Sequence, residues 1–202
     1  MVEFVFSSRN KHKAKEVYNI LSKKLQFEFK ILTLDDIGFE GEITEDGNTF
    51  EENAMIKAKA AYEKSHIPSF ADDSGLEVDA LGGAPGIYSA RYASLDGSDA
   101  NDLDNNALLL KNLEGKSDRN AQFVAAVAFV SEDTEYVTRG EVKGRILDAP
   151  EGNGGFGYDP LFFSYEKNEC FGVLPPEEKN EISHRARAFE TLSKVLNERY
   201  SK

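Results

Sequence analysis

The sequence holds a single cysteine, Cys170, among 202 residues. No internal disulfide can form, so the core must hold the fold, and such usage predicts a reducing cytoplasm. Nothing around Asn168 and Glu169 would lower the pKa of Cys170, which argues against a nucleophilic thiol. Long apolar runs are missing too: none approaches the roughly 20 residues that cross a bilayer, so no membrane partner is expected. The apolar opening at residues 2–6 is too short for a signal-peptide core and has neither a basic lead nor a small-residue cleavage site. Positive charge is scarce, with 24 Lys and Arg against 36 Asp and Glu and a formal net charge of −12. That balance excludes a protein that grips nucleic acid along an extended basic surface. An anionic small molecule remains open to it, given a local cationic patch or a divalent cation, because near charges outweigh a screened global field.

What is present fits a globular chain. Hydrophobic residues make up 40% and charged residues 30%, and a chain of this length buries roughly 70% of its unfolded surface. Alternating apolar residues over 2–7 predict a first strand. Asn10 then caps a helix running through Ala14, Val17, Ile20 and Leu21. Residues 27–32 read as a strand, followed by an acidic loop to Gly47. Thr49 opens a helix with Glu52 three residues on, as in a capping box, and with Ala54, Ala58 and Ala61 along one face; it ends near His66, before Pro68.

Residues 68–71 are expected to be a short buried strand that delivers Asp72, Asp73, Ser74 and Gly75 at its carboxyl end, where open α/β sheets place their ligands. Residues 81–90 hold too many breakers for a regular element, and residues 103–113 read as helix. Two long strands, 123–130 and 135–146, flank the acidic turn Ser131-Glu132-Asp133 and predict an antiparallel hairpin. Residues 151–157 carry four glycines in seven positions, a loop that brings backbone close to a ligand. A last helix is expected from Ser183 through Ala186, Phe189, Leu192 and Leu196. With no repeat and no low-complexity linker, the pattern predicts one α/β chain over residues 1–202, two-lobed around a cleft, with no separate domains.

Several segments can carry chemistry. Ser8, Arg9, Asn10, Lys11, His12 and Lys13 place four basic side chains in six residues at a helix start, where backbone N–H groups favour an anion. The glycine spacing of a P-loop is absent. Asp72 and Asp73, with Glu45 and Asp46 on an earlier loop, supply the hard oxygens Mg²⁺ accepts, and Asp73 can also take a proton from water. Asn53 and Lys57 share a helix face, where Lys57 can reach a phosphate. Phe156, Gly157, Tyr158 and Asp159 offer aromatic faces for a base, and Ser183, His184 and Arg185 offer hydrogen-bond donors at a helix start. Each signal has a bland alternative in solvated charge or packed core. Together they describe a nucleotide site, with a non-catalytic nucleotide sensor and an orthophosphate-releasing phosphatase as rivals.

These residues, with Glu16, the run from Thr49 to Ala54, the run of residues 71–92 and Phe156-Gly157-Tyr158-Asp159-Pro160, resemble the inosine triphosphate pyrophosphatase family, also called Ham1-like, over nearly the whole chain. The resemblance implies a two-lobed α/β fold with a long central mixed sheet flanked by helices and an active-site cleft between the lobes. It also implies a homodimer and Mg²⁺-dependent hydrolysis of the triphosphates of inosine, deoxyinosine and xanthosine to monophosphate and pyrophosphate, which keeps these bases out of DNA and RNA. Carried over by position, residues 8–13 and Lys57 bind the polyphosphate and Lys179 binds substrate. Asp73 is the proton acceptor and a metal ligand, Ser74 contacts substrate, and Glu45 is assigned as second metal ligand. Phe156, Gly157, Tyr158 and Asp159 bind the base, with His184 and Arg185 on its edge. Arg185 or nearby backbone is expected to donate to the 6-carbonyl that adenine lacks. One departure is visible: the family commonly has Thr-Gly-Asn where this chain has Ser8-Arg9-Asn10, which adds positive charge.

Overall fold

Local signals set the first elements in a computed structural model that describes residues 1–94 and 97–201. Strand β1 (Val2–Phe6) leads into helix α1 (Lys11–Lys24), whose Asn10 cap accepts from the N–H groups of His12 and Lys13. Strand β2 (Phe29–Leu32) follows, then helix α2 (Phe50–Ser65). Thr49 caps α2 by accepting from Glu52 N, while the Glu52 carboxylate takes the N–H of Asn48, one residue outside a standard capping box. His66 ends α2 in the left-handed conformation.

Strand β3 (Ser69–Val78) runs on to 3-10 turns at Asp79–Leu81 and Gly86–Arg91 and to helix α3 (Asp102–Asn112). Strands β4 (Asn120–Val130) and β5 (Glu135–Ile146) precede the glycine loop. Hydrogen bonds at both ends of that pair, Ser131 N to Thr134 O and Ile146 N to Arg119 O, give it the antiparallel register the sequence predicts. Strands β6 (Phe162–Ser164) and β7 (Glu169–Cys170) and helices α4 (Pro176–Ile182) and α5 (His184–Tyr200) complete the chain.

The seven strands form one mixed sheet in the order β2-β1-β3-β4-β5-β6-β7. Strand β1 is parallel to β2 and to β3, whereas β6 pairs antiparallel with both β5 and β7. The expected end of β3 at Ala71 is corrected. The strand continues through Asp72, Asp73, Ser74 and Gly75 because Leu76 and Val78 extend its buried alternation, and sheet pairing overrides the local Ser-Gly turn signal. The last helix begins at His184, since Ser183 closes α4, an element the sequence reading did not foresee.

The chain divides into two compact units: Met1–Asp73, Ala125–Gly140 and Arg185–Lys202 form the first, and Ser74–Val124 and Glu141–His184 the second. In the first unit, Phe4, Phe6, Phe70, Phe129 and Phe189 pack with Val17, Leu21, Leu192 and Leu196. Val5, between two of those phenylalanines in sequence, packs instead with Leu34 and Ala61. Alternate residues of β1 thus feed different clusters, as in a strand covered on both faces. The second unit has its own core of Leu76, Val78, Leu109, Leu113, Phe123, Phe162, Phe171 and Ile182.

Candidate active site

In the first unit, β3 brings two consecutive carboxylates into the reach of three helices. Strand alternation points Asp72 and Asp73 to opposite faces of the pleat. Asp72 is buried: its Oδ1 lies 3.4 Å from Lys13 Nζ on α1, and its Oδ2 accepts from Arg185 Nε on α5 at 2.9 Å. Arg185 also donates through Nη1 to Glu16 Oε2 at 2.6 Å. Glu16 lies three residues beyond Lys13, so one face of α1 supplies both. Burial alone would raise the Asp72 carboxyl, but Lys13, Arg185 and Lys57 outweigh it and hold the group well below the usual carboxylate range. Burial alone would lower the Arg185 guanidinium, but Glu16 and Asp72 outweigh it and push the group up.

Asp73 behaves in the opposite sense. Its Oδ1 accepts from Lys57 Nζ at 3.0 Å, and the same ammonium lies 2.8 Å from Glu45 Oε2. Burial pushes the Asp73 carboxyl up, with Glu45 adding to the rise, and Lys57 and Lys13 offset it only in part. Asp73 Oδ2 is buried with no hydrogen-bond partner among the described residues. Around Lys57, burial is overcome by Asp73, Glu45 and Asp72, so its pKa rises; at Lys13 burial prevails and the pKa falls.

Glu45 is held where it is by the start of α2. Asn53, buried on that helix, accepts from Gly47 N through Oδ1 at 2.9 Å. A Cβ at Gly47 would meet Asn53 Oδ1 and Glu52 Cβ at 2.7 Å, so only glycine allows the loop so close.

The expected phosphate segment divides. Ser8 and Asn10 shape the helix start, Ser8 Oγ accepting from Asn10 N at 3.2 Å, and Lys13 joins the carboxylates. Arg9 turns away, donating to Phe39 O at 2.9 Å with Asp35 3.8 Å from its Nε. Lys11 and His12 are exposed.

The second unit gathers the aromatic set. Asp159 Oδ2 accepts from Lys179 Nζ on α4 at 2.6 Å and from Phe156 N at 2.9 Å, and the ammonium stands 4.9 Å from the centre of the Phe156 ring. Both charged groups are buried. Gly155 adopts a positive φ of 73°, and a Cβ there would run into the Asp159 carboxylate. Tyr158 is buried and donates through its hydroxyl to Ser89 O at 2.8 Å, while burial pushes its pKa up. His184 stacks on Phe123, ring centres 4.9 Å apart and 15° between planes.

Of the expected base-edge pair, His184 belongs to this unit, and Arg185 belongs to the first, where it meets Asp72 and Glu16. Ser74 begins the second unit, half-buried on β3. Reasoning from the sequence gave Glu16 no role beyond its place in the family resemblance and Asp72 only a place among the carboxylates offered to Mg²⁺, and it missed Asn106, whose Nδ2 donates to Gly157 O. Glu16 left one local signal, its helical spacing from Lys13; Asn106 left none.

The geometry can be set beside known proteins. Residues 4–195 match the family model described as the Ham1 family. A dITP/XTP pyrophosphatase of Geobacter sulfurreducens is 47% identical over 199 residues, covering 97% of each chain. One from Listeria monocytogenes serotype 4b is 48% identical over 202 residues, with 98% of this chain and 96% of that one covered. Among solved structures, a HAM1 protein from Coxiella burnetii superposes with a TM-score of 0.88 at 38% identity, over 98% of this chain and 100% of that one.

Proposed function

The chain belongs to the Ham1 family, and on that premise we propose that it is a nucleoside-triphosphate pyrophosphatase acting on the triphosphates of deoxyinosine, inosine and xanthosine. It yields the monophosphate and pyrophosphate and so removes these purines from the nucleotide pool. The observation that carries the chemistry is Asp73: a buried carboxyl raised in pKa, one oxygen held by Lys57 and the other without a partner among the described residues.

Asp73 takes the proton of a water whose oxygen bonds to the α-phosphorus as the bond to the bridging oxygen breaks and pyrophosphate leaves. A raised pKa makes the carboxylate a stronger base toward that water. Lys57 fixes the carboxylate, and Lys13 lies within the same charge cluster, ready to face phosphate oxygens. Such reactions are catalysed mainly by positioning and charge stabilisation.

Support for a divalent cation rests on a pair of carboxylates, since no group of three or more His, Cys, Asp or Glu that could hold a metal stands among the described residues. The cluster of Glu16, Glu45, Asp72 and Asp73 has four carboxylates against the three cations Lys13, Lys57 and Arg185, and the partnerless Asp73 oxygen is a hard donor. Asp73 and Glu45 would hold Mg²⁺, which usually takes one or two carboxylates beside substrate phosphates and would supply charge to the phosphate oxygens.

Base recognition belongs to the second unit, where Phe156 gives a ring face and Lys179 and Asp159 give a buried donor and acceptor. Arg185 is the counter-ion that keeps Asp72 ionised, on the support of its two buried ion pairs. No described helix is long and apolar enough to cross a membrane. The family resemblance supports a homodimer, and the lone buried Cys170, raised in pKa by burial, suits a reducing cytoplasm.

The test is incubation with inosine triphosphate and Mg²⁺, with ATP and GTP in parallel, quantifying pyrophosphate and orthophosphate separately. Pyrophosphate from the inosine substrate alone is the expected result. Orthophosphate would replace this reading with a phosphatase, and binding without product with a sensor.

A further inference from the structure

Helix α3 takes no part in the family motifs, yet its first two turns reach the base-binding loop. Asp102 Oδ2 accepts from Gly157 N at 2.7 Å, and Asn106 Nδ2 donates to Gly157 O at 3.0 Å. Asp102 and Asn106 are four residues apart, so one helix face holds both polar groups of one loop residue. Packing cannot fix Gly157, since even a Cβ there would meet nothing within 4 Å. Its neighbours depend on it: Phe156 presents the ring beneath Lys179, and Tyr158 is anchored to Ser89 O. Asn106 is itself buried and Leu109, one turn on, is in the core, so the clamp stands on a firm base. Asn105 adds to that firmness, accepting from Ala93 N at 2.8 Å and donating to Ala90 O at 3.1 Å.

We propose that Asp102 and Asn106 are positioning residues that clamp Gly157 and thereby set the affinity and selectivity of the base site. The proposal rests on the reading of residues 156–159 as the base-binding segment. The clamp touches neither substrate nor the reacting atoms. It fixes the loop conformation in which the Phe156 ring and the Asp159–Lys179 pair meet a purine, so that recognition is pre-organised rather than assembled on binding.

The experiment measures kcat and KM for inosine triphosphate, and inhibition by inorganic tripolyphosphate, a ligand with no base, in Asn106→Ala, Asn106→Asp, Asp102→Ala, Asp102→Asn and Phe156→Ala. Loss of one hydrogen bond predicts KM raised up to about tenfold in Asn106→Ala and Asp102→Ala. Asn106→Asp should be at least as impaired, because a carboxylate faces the Gly157 carbonyl. In all three, kcat should stay within about twofold and tripolyphosphate inhibition should be unchanged. Asp102→Asn should restore near-normal KM, since its amide oxygen still accepts from Gly157 N. Asp102 is exposed, so its pair of variants decides the matter should Asn106→Ala fail to fold. Unchanged KM in the clamp variants beside a raised KM in Phe156→Ala would overturn the clamp alone. Unchanged KM in Phe156→Ala as well would overturn the base-site reading and the clamp with it. Parallel weakening of tripolyphosphate would show a general structural role and overturn the proposal.

Discussion

The two units hold their polar groups by different means. In the first, Lys13, Lys57, Asp72, Asp73 and Arg185 all stand on regular elements, two helices, a strand and a third helix; the Phe4–Phe6–Phe70–Phe189 core fixes α1, β3 and α5, and α2 packs through Ala61 with Val5 and Leu34. In the second, Phe156 to Asp159 lie in a glycine-rich loop and a 3-10 turn, held by side-chain bonds from Asp102, Asn106 and Asp159 itself. Charge placed for phosphate chemistry gains from rigid supports, because misplacement weakens catalysis steeply. A loop lets backbone approach a flat base but must be tied down bond by bond. The same lost hydrogen bond should therefore register as stability in one unit and as affinity in the other.

The largest effect should come from breaking the buried ion pairs of the first unit. Arg185→Met removes the guanidinium while keeping much of its length, leaving Asp72 and Glu16 to Lys13 and the buried surroundings. Uncompensated buried charge costs about 3–5 kcal/mol, to be read from urea unfolding at neutral pH. The pH dependence has a definite sign. The folded-state pKa of Asp72 is depressed, so its contribution is complete above the ordinary carboxylate value of 3.8 and is lost as pH falls through the lower folded value. The deficit of the variant should accordingly narrow below that ordinary value. A deficit under about 1 kcal/mol at neutral pH would mean that the ion pairs are screened like surface ones.

Next in size is the chemical step. Asp73→Asn keeps the shape of the side chain and its contact with Lys57 but cannot accept the proton, so turnover with saturating inosine triphosphate and Mg²⁺ should fall about a hundredfold or more. Near-normal turnover would take the proton-accepting role from Asp73. Set beside the clamp variants, which should change KM and spare kcat, this substitution separates the work of the two units.

How much of this could be read in the sequence follows from the range of each interaction. The caps at Asn10 and Thr49 were legible because the cap and its N–H partners lie within three residues, and the β4–β5 hairpin because its turn is local. The end of β3 was misread because Ser74-Gly75 carries a local turn signal that distant strands overrule. Strands β6 and β7 and helix α4 are too short for periodicity to show. Lys13, Lys57 and Asp73 announced themselves by residue type beside strand ends and helix starts. The two ion pairs of Arg185 could not be read because its partners lie 113 and 169 residues away in sequence, and no window of the chain contains them. Asn106 was invisible for the same reason, its partner being 51 residues off.

The smallest effect tests the comparison at equal cost. Thr138 on β5 is buried and donates through Oγ1 to Ala188 O on α5 at 3.0 Å, one turn along the helix from Arg185. Thr138→Val removes that bond with little change of shape, which should cost about 1 kcal/mol of stability, the same scale as the bond lost in Asn106→Ala. Because α5 is also held by Phe189, Leu192 and Leu196 in the core, the helix should keep its position, and KM for inosine triphosphate should stay within about twofold. The Asn106 variant should show the reverse, a KM raised several-fold for a comparable loss of stability. If Thr138→Val raised KM as much as Asn106→Ala does, the first unit would be no better braced than the loop, and the division between rigid charge placement and tied-down base recognition would be lost.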